Sequence, residues 1–296
     1  MNRLPYPSWS HSSMKLFEGC RREYYYSKYH ALCRDRHHVR ALKNMTSAPL
    51  LAGSLVHEVI ARALSDRYKY GRAPSPEQVT DAFRRRYEEA VARSADCADP
   101  AAWSDTAEGM LAEHYYSETG AAETIRAAGE KGAAGLRSLC AHSLWRKLNE
   151  ELAPENIKYM DKPDDFPSFE YEGIRVYAKI DLAVCGRSWY RIFDWKTGRP
   201  GDADPLQPAI YALYAQSEWR WEPEKVQFDF VYLSPEVRRV RAVTDAESLR
   251  EARETIAASF EEMVRLYRDG SPVIEDFPQN ISPKCQGCRF RELCSV

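Results

Sequence analysis

A chain of 296 residues that is 44% hydrophobic and 29% charged has the apolar content for one large core, or for a core carrying a sizeable insertion, which excludes a largely disordered protein. Its formal net charge of -2 excludes attraction to a polyanion through bulk charge, so any such attraction has to be local. No run approaches the roughly 18 uninterrupted apolar residues of a membrane span, and the opening Met-Asn-Arg-Leu-Pro lacks a signal-peptide core, so a cytoplasmic protein without membrane contact is expected.

In chain order, Ser10, His11, Ser12 and Ser13 precede Met14, Leu16 and Phe17, which reads as a short capped helix running to Cys20. From Lys15 to Lys43 there are eight Lys/Arg against three acids, a local excess of +5, with Tyr24, Tyr25, Tyr26 and Tyr29 among them. Cations draw phosphates and exposed rings stack unpaired bases, which suits single-stranded nucleic acid. The same residues also suit an arginine-laced helix whose tyrosines pack on the core. Helical spacing continues over 53–70, 76–93, 105 to about 128, and 132–152, with Gly and Pro at the breaks.

After Pro167 the pattern changes. Residues 169–184 are rich in Tyr, Ile and Val, Cys185-Gly186-Arg187-Ser188 supplies a turn, and 189–195 is extended again, which reads as a β-hairpin. Residues 207–219 return to helical spacing, 226–233 and 237–243 read as strands, and 245–268 as a long helix. The order implies an α/β fold with a mixed-sheet core and a helical N-terminal insertion. One domain over 1–296 is expected: an N-terminal segment 1–52, a helical region with the insertion 53–166, a core 167–271 and a cysteine-bearing tail 272–296.

The strongest chemical signal is Asp181 followed by Asp194-Trp195-Lys196. A two-residue loop at Gly186-Arg187 pairs Cys185 with Ser188 and Asp181 with Ile192. Asp194 and Lys196 then share the sheet face of Asp181, and the two aspartates are diagonal neighbours. Two carboxylates so placed repel unless a cation intervenes, and hard oxygen donors suit Mg²⁺ or Mn²⁺. Such an ion polarises a phosphodiester and acidifies a bound water, while Lys196 orients that water and stabilises developing negative charge. An exposed Asp/Lys cross-strand pair produces the same pattern.

The eight cysteines are unevenly placed. Cys285, Cys288 and Cys294 lie within the last twelve residues, whereas Cys20, Cys33, Cys97, Cys140 and Cys185 are scattered. The terminal trio has metal-ligand spacing and is one short of a closed site. The fourth ligand has to come from the scattered set.

Together, Asp181, the run Asp194-Trp195-Lys196-Thr197-Gly198, and the pair Gln207 and Tyr211 resemble the RecB-type branch of the PD-(D/E)XK nuclease superfamily. Gly53 and His57 resemble that branch's G-x-x-x-H helix, and Ser10 to Cys20 resembles its N-terminal serine–cysteine segment. Roughly 65–165 lies outside any motif. The resemblance implies a restriction-endonuclease-like fold. It also implies Lys196 as the catalytic lysine, with Asp181, Asp194, Gln207 and Tyr211 in the active site. His57, Asp181, Asp194 and the Trp195 backbone carbonyl would hold Mg²⁺ or Mn²⁺. In AddB C-terminal nuclease domains and CRISPR-associated RecB-like exonucleases, one N-terminal and three C-terminal cysteines bind a 4Fe-4S cluster. The resemblance therefore assigns an iron–sulfur clasp joining both termini to Cys20, Cys285, Cys288 and Cys294; spacing alone fits a zinc site equally. Asp194 stands where many superfamily members have Glu, as is usual in the RecB branch, and Arg21 follows Cys20 where proline is often seen.

The implied activity is a metal-dependent DNA nuclease, an exonuclease on single strands or ends. The alternative is a nuclease or DNA-binding subunit of a larger repair, defence or spacer-acquisition complex with little activity alone. No P-loop ending in Gly-Lys-Ser/Thr occurs, so a helicase or other motor would be a separate partner.

Overall fold

A computed structural model describes residues 6–96, 110–162, 165–199, 201 and 204–294. Cys97 and the first part of the helix expected from residue 105 lie outside the described residues. The N-terminal half runs through β1 (Trp9–Ser10), α1 (His11–Gly19), α2 (Arg21–Tyr29), α3 (Arg36–Asn44), α4 (Ala48–Tyr70), α5 (Pro76–Asp96), α6 (Ala112–Tyr115), α7 (Ala121–Ala141) and α8 (Ser143–Arg146). Then follow β2 (Ile157–Met160), β3 (Ser168–Tyr171), β4 (Ile174–Tyr177), β5 (Leu182–Cys185), β6 (Tyr190–Lys196), α9 (Leu206–Trp219), β7 (Val226–Tyr232), β8 (Arg238–Val243) and α10 (Ala246–Tyr267). No helix among the described residues is long and apolar enough to cross a membrane.

The central sheet has the order β2-β5-β6-β7-β8, antiparallel except for the parallel pair β6/β7 that α9 connects. A second sheet has the order β1-β4-β3. The protein is thus a mixed α/β structure, as expected. Alternation of side chains along the central strands divides the core into two layers. Leu182, Val184, Phe193, Trp195 and Val231 pack with α4, α5 and α7. Ala183, Ile192 and Phe228 pack with α1, α2, α9 and α10.

Several local expectations are corrected. The β5–β6 loop has four residues, 186–189, and pairs Cys185 with Tyr190 and Leu182 with Phe193. The Trp189 indole lies across Gly186, where a Cβ would come within 2.2 Å of its Nε1, so the wider loop accommodates that ring. Carried one step further, the register sets Asp181 opposite Asp194 rather than Ile192. A slip of two residues conserves the side-chain faces, so the two aspartates still share one.

The 169–184 stretch breaks twice. Glu172 (φ 49°) and Gly173 (φ 79°) form a turn with both central residues left-handed, the geometry that two-residue hairpins require. The expected 105–128 helix is interrupted at Gly120, whose φ is 80°, and α7 begins at the next residue. That helix then runs straight through Gly132. There a Cβ would lie 2.4 Å from Phe83 Cζ, so this glycine serves close packing of α7 on α5 rather than a break. Strand β2 escapes sequence reading because its four residues show no apolar alternation.

The tyrosines of α2 decide between the two readings of the basic stretch. Tyr24, Tyr25, Tyr26 and Tyr29 are at most 6% exposed and pack edge-on, tilted or stacked against Phe17, Phe277 and Phe290. They offer no face to a base, and the stacking expectation is overturned for these rings.

Candidate active site and cysteine cluster

The C-terminal end of β6 is where sequence-distant groups converge. Asp194 and Lys196 are two residues apart on one strand and so face the same layer. Helix α9, which leads from β6 back to β7, places Gln207 and Tyr211 one turn apart on the face turned toward them. Helix α4 reaches the same sheet end from the opposite layer. Its approach is close at Gly53, where a Cβ would sit 3.1 Å from Thr197 Oγ1, just beyond β6. One turn later α4 delivers His57, whose Nδ1 lies 2.9 Å from Asp181 Oδ1.

Each carboxylate is held by specific partners. Asp181 Oδ2 accepts the Trp195 backbone N–H at 2.7 Å, which ties the start of β5 to β6. Asp194 Oδ1 accepts Gln207 Nε2 at 3.0 Å and lies 3.2 Å from the Tyr211 hydroxyl. That hydroxyl accepts from Gln207 Nε2 at 2.7 Å and donates to the Lys179 carbonyl. Lys196 Nζ donates to Gln207 Oε1 at 3.0 Å, stands 2.6 Å from Asp194 Oδ2, and lies 5.3 Å from the Phe230 ring centre. Gln207 is therefore a hub: its oxygen holds the lysine while its amide holds the aspartate.

The electrostatics are those of a crowded anionic pocket. The side chains of Asp181 and Asp194 are 7% and 9% exposed. Burial, and then the Asp181 charge, push the Asp194 carboxyl above the usual range, while Lys196 and His57 oppose the rise. Burial works against the charged form of His57, but Asp181 and then Asp194 carry its pKa above the ordinary value. Burial and the two aspartates raise the Tyr211 phenol well above its usual range, so it is a neutral donor. All five predicted catalytic residues and His57 are thus in one neighbourhood.

The donor set fits a hard divalent cation. Two carboxylates supply oxygens, His57 an imidazole nitrogen, and Asp194 Oδ2 is buried with no hydrogen bond of proper geometry despite its nearby ammonium. Among the described residues, no three His, Cys, Asp or Glu side chains are drawn together tightly enough to hold an ion as they stand. Lys196 Nζ lies against the oxygen that a cation would share.

Sequence reasoning missed two groups at this end of the sheet. Asp161, just past β2, donates its N–H to the Asp181 carbonyl at 2.9 Å, and its Oδ2 lies 3.4 Å from Lys179 Nζ. Its Oδ1 is buried without a partner, and burial raises its carboxyl above the usual range. Asp204, ahead of α9, lies 2.8 Å from Lys15 and 3.0 Å from His11. Burial opposes its ionisation, yet Lys15, the Leu206 N–H and His11 bring its pKa down to about 2. Neither residue carries a spacing signal, because their partners are supplied by other parts of the chain.

Beyond the other end of α1, the segments around residues 20 and 280 meet. The Arg22 N–H and guanidinium donate to the carbonyls of Pro278 and Phe277, and Asn280 Nδ2 donates to the Gly19 carbonyl. Cys20, Cys285, Cys288 and Cys294 line one small cavity there, and Cys33 is not in its lining. The sulfurs of Cys288 and Cys285 receive backbone N–H groups of Phe290 and Ser282 at 3.4 and 3.5 Å. Burial pushes the Cys288 thiol up to about 11 and raises that of Cys294.

Comparison with known proteins agrees with the geometry at the level of family. A crystal structure of a candidate exonuclease from Eubacterium rectale is similar at 16% identity with a TM-score of 0.43, over 95% of this chain and 87% of that chain. No curated protein matches the sequence. The sequence model of the PD-(D/E)XK nuclease superfamily matches residues 8–295, nearly the whole chain and every group in the pocket, and the protein belongs to that superfamily.

Proposed function

We propose that this nuclease is of the RecB type and hydrolyses DNA phosphodiesters, on single strands or at ends, with Mg²⁺ or Mn²⁺. The carrying observation is the linked set Asp194–Gln207–Lys196–Tyr211 beside Asp181 and His57. His57, Asp181, Asp194 and the Trp195 carbonyl would hold the ion. When bound, it supplies Lewis-acid polarisation of the phosphodiester and a more acidic water. The chain's own residues supply the rest. Asp181 and Asp194 concentrate negative charge at the sheet end. Lys196, held by Gln207, presents an ammonium where negative charge develops on phosphate or hydroxide. Tyr211 keeps its own proton, donates a hydrogen bond to the Lys179 carbonyl and holds the Gln207 amide that binds Asp194.

The test is cleavage of 5′- and 3′-labelled single- and double-stranded DNA by the purified chain with Mg²⁺ and with Mn²⁺. Cleavage should be lost in Asp194→Ala and Lys196→Ala variants that retain the fold. Full activity in either variant removes the mechanism.

The same reading assigns the cavity of Cys20, Cys285, Cys288 and Cys294 to a 4Fe-4S cluster. Supporting it are the shared cavity of four soft ligands and the N–H groups directed at two of the sulfurs. The residues surrounding it already hold the two termini together, so a cluster there would reinforce an existing closure. Anaerobically purified protein should be coloured and contain iron. Colourless protein with stoichiometric zinc would establish a structural zinc site instead.

A further inference from the structure

A cleft of about 590 Å³ is lined by Gln207 and Tyr211, the α9 residues that hold Asp194 and Lys196. Its other walls include His11, Lys28, Phe166 and Lys179. It borders the catalytic pocket through these two side chains, while Asp181, Asp194, Lys196 and His57 are not in its lining. Cavities of roughly 300–1,000 Å³ enclose small ligands, so this one has room for roughly one or two nucleotides of a single strand and not for a paired duplex.

Two side chains of the lining bear on what it could bind. Phe166 is 71% exposed, the highest value among the large hydrophobic side chains of the described residues. An exposed phenyl ring in the lining offers a flat apolar face on which a base can stack. Lys28, in the same lining, is exposed to solvent. An exposed ammonium there attracts the phosphates of a strand.

We propose that this cleft is the subsite for an unpaired nucleic-acid strand next to the scissile phosphate, with a base laid on Phe166 and a flanking phosphate drawn by Lys28. The assignment rests on the nuclease reading and adds a physical basis for choosing unpaired strands. It also moves base stacking from the buried α2 tyrosines to a ring that the sequence did not single out.

The experiment is fluorescence-anisotropy binding of a labelled oligothymidylate to the full chain in EDTA, where no cleavage occurs, alongside a blunt duplex. Stacking contributes enough per base that Phe166→Ala should weaken single-strand binding about 5- to 150-fold. Phe166→Tyr should restore it, and duplex binding should be unchanged. Lys28→Gln should lower the slope of log affinity against log salt by about 0.7, one phosphate contact on a single strand. Single-strand affinity unchanged in Phe166→Ala, or an equal loss for the duplex, overturns the subsite. Because binding is read without metal, it separates from the cleavage assay. A wild-type chain that cleaves DNA while binding independently of Phe166 sinks the cleft alone. A chain that cleaves nothing sinks the nuclease reading instead.

Discussion

Replacing Gln207 by alanine tests whether the pocket is held together as the structure describes. The side chain accepts from Lys196 at 3.0 Å and donates to Asp194 at 3.0 Å and to Tyr211 at 2.7 Å. Two of these bonds are to charged groups, and such bonds contribute about 1.5–3 kcal/mol each. The loss is not the sum. Lys196 still has Asp194 at 2.6 Å, and the Tyr211 hydroxyl is 3.2 Å from the freed Asp194 oxygen and can turn toward it. About half the gross value is therefore expected in the transition state, on the order of 1.5–3 kcal/mol, or about a 10- to 150-fold fall in kcat. That range matches what loss of a ligand-orienting partner typically does. Gln207 is also in the cleft lining, so KM is the informative comparison. An orienting role lowers kcat with KM nearly constant, whereas a purely binding role raises KM. The assay is steady-state cleavage of a labelled single strand over a metal titration, with thermal melting as the control for fold. A kcat within about threefold of the wild type, well short of the expected change, would refute the hub.

Two further outcomes follow from local geometry. Gly132→Ala places a methyl 2.4 Å from Phe83 Cζ, inside a 0%-exposed ring's packing shell; overpacking of this kind costs about 1–3 kcal/mol against a helix-propensity gain near 1. A urea midpoint lowered at unchanged slope supports it, and a raised midpoint contradicts it. Asp204 has a folded pKa of about 2 against an ordinary 3.8, so its ion pairs contribute stability that is present above the ordinary value and lost as pH falls through the folded one. Asp204→Asn should therefore destabilise at neutral pH, by less than about 1 kcal/mol given solvent screening. The gap to wild type should close toward pH 2, and urea unfolding showing a gap that stays constant with acidification would contradict the assignment.

Motif and periodicity made a good deal of this protein legible. The long helices α9 and α10 and the strands β7 and β8 appear close to where apolar spacing puts them, because amphipathic periods report directly which side of an element faces a core. The parity of Asp181, Asp194 and Lys196 is likewise a property of the chain. Pleating alternates side chains whatever the register, so a hairpin loop two residues longer than expected still left the aspartates on one face. Turns and helix breaks were less legible, since Gly132 and Gly173 are the same residue type used for opposite purposes, tight interhelical packing and a left-handed turn.

What the amino-acid order determined by itself, then, is the alternating pattern of a mixed sheet flanked by helices, and the chemical kinds of residue available at the end of the sheet where Asp181, Asp194 and Lys196 lie. The tertiary structure decided how they meet and which further groups join them. It turned the α2 tyrosines inward and left Phe166 in water. It brought Asp161 to Asp181 from a strand with no sequence signal, and joined residues near 20 to residues near 280. The physical reason is the range of the forces involved. Local propensity acts over a few residues, whereas burial, ion pairing and shared cavities depend on distances in space that no local spacing encodes.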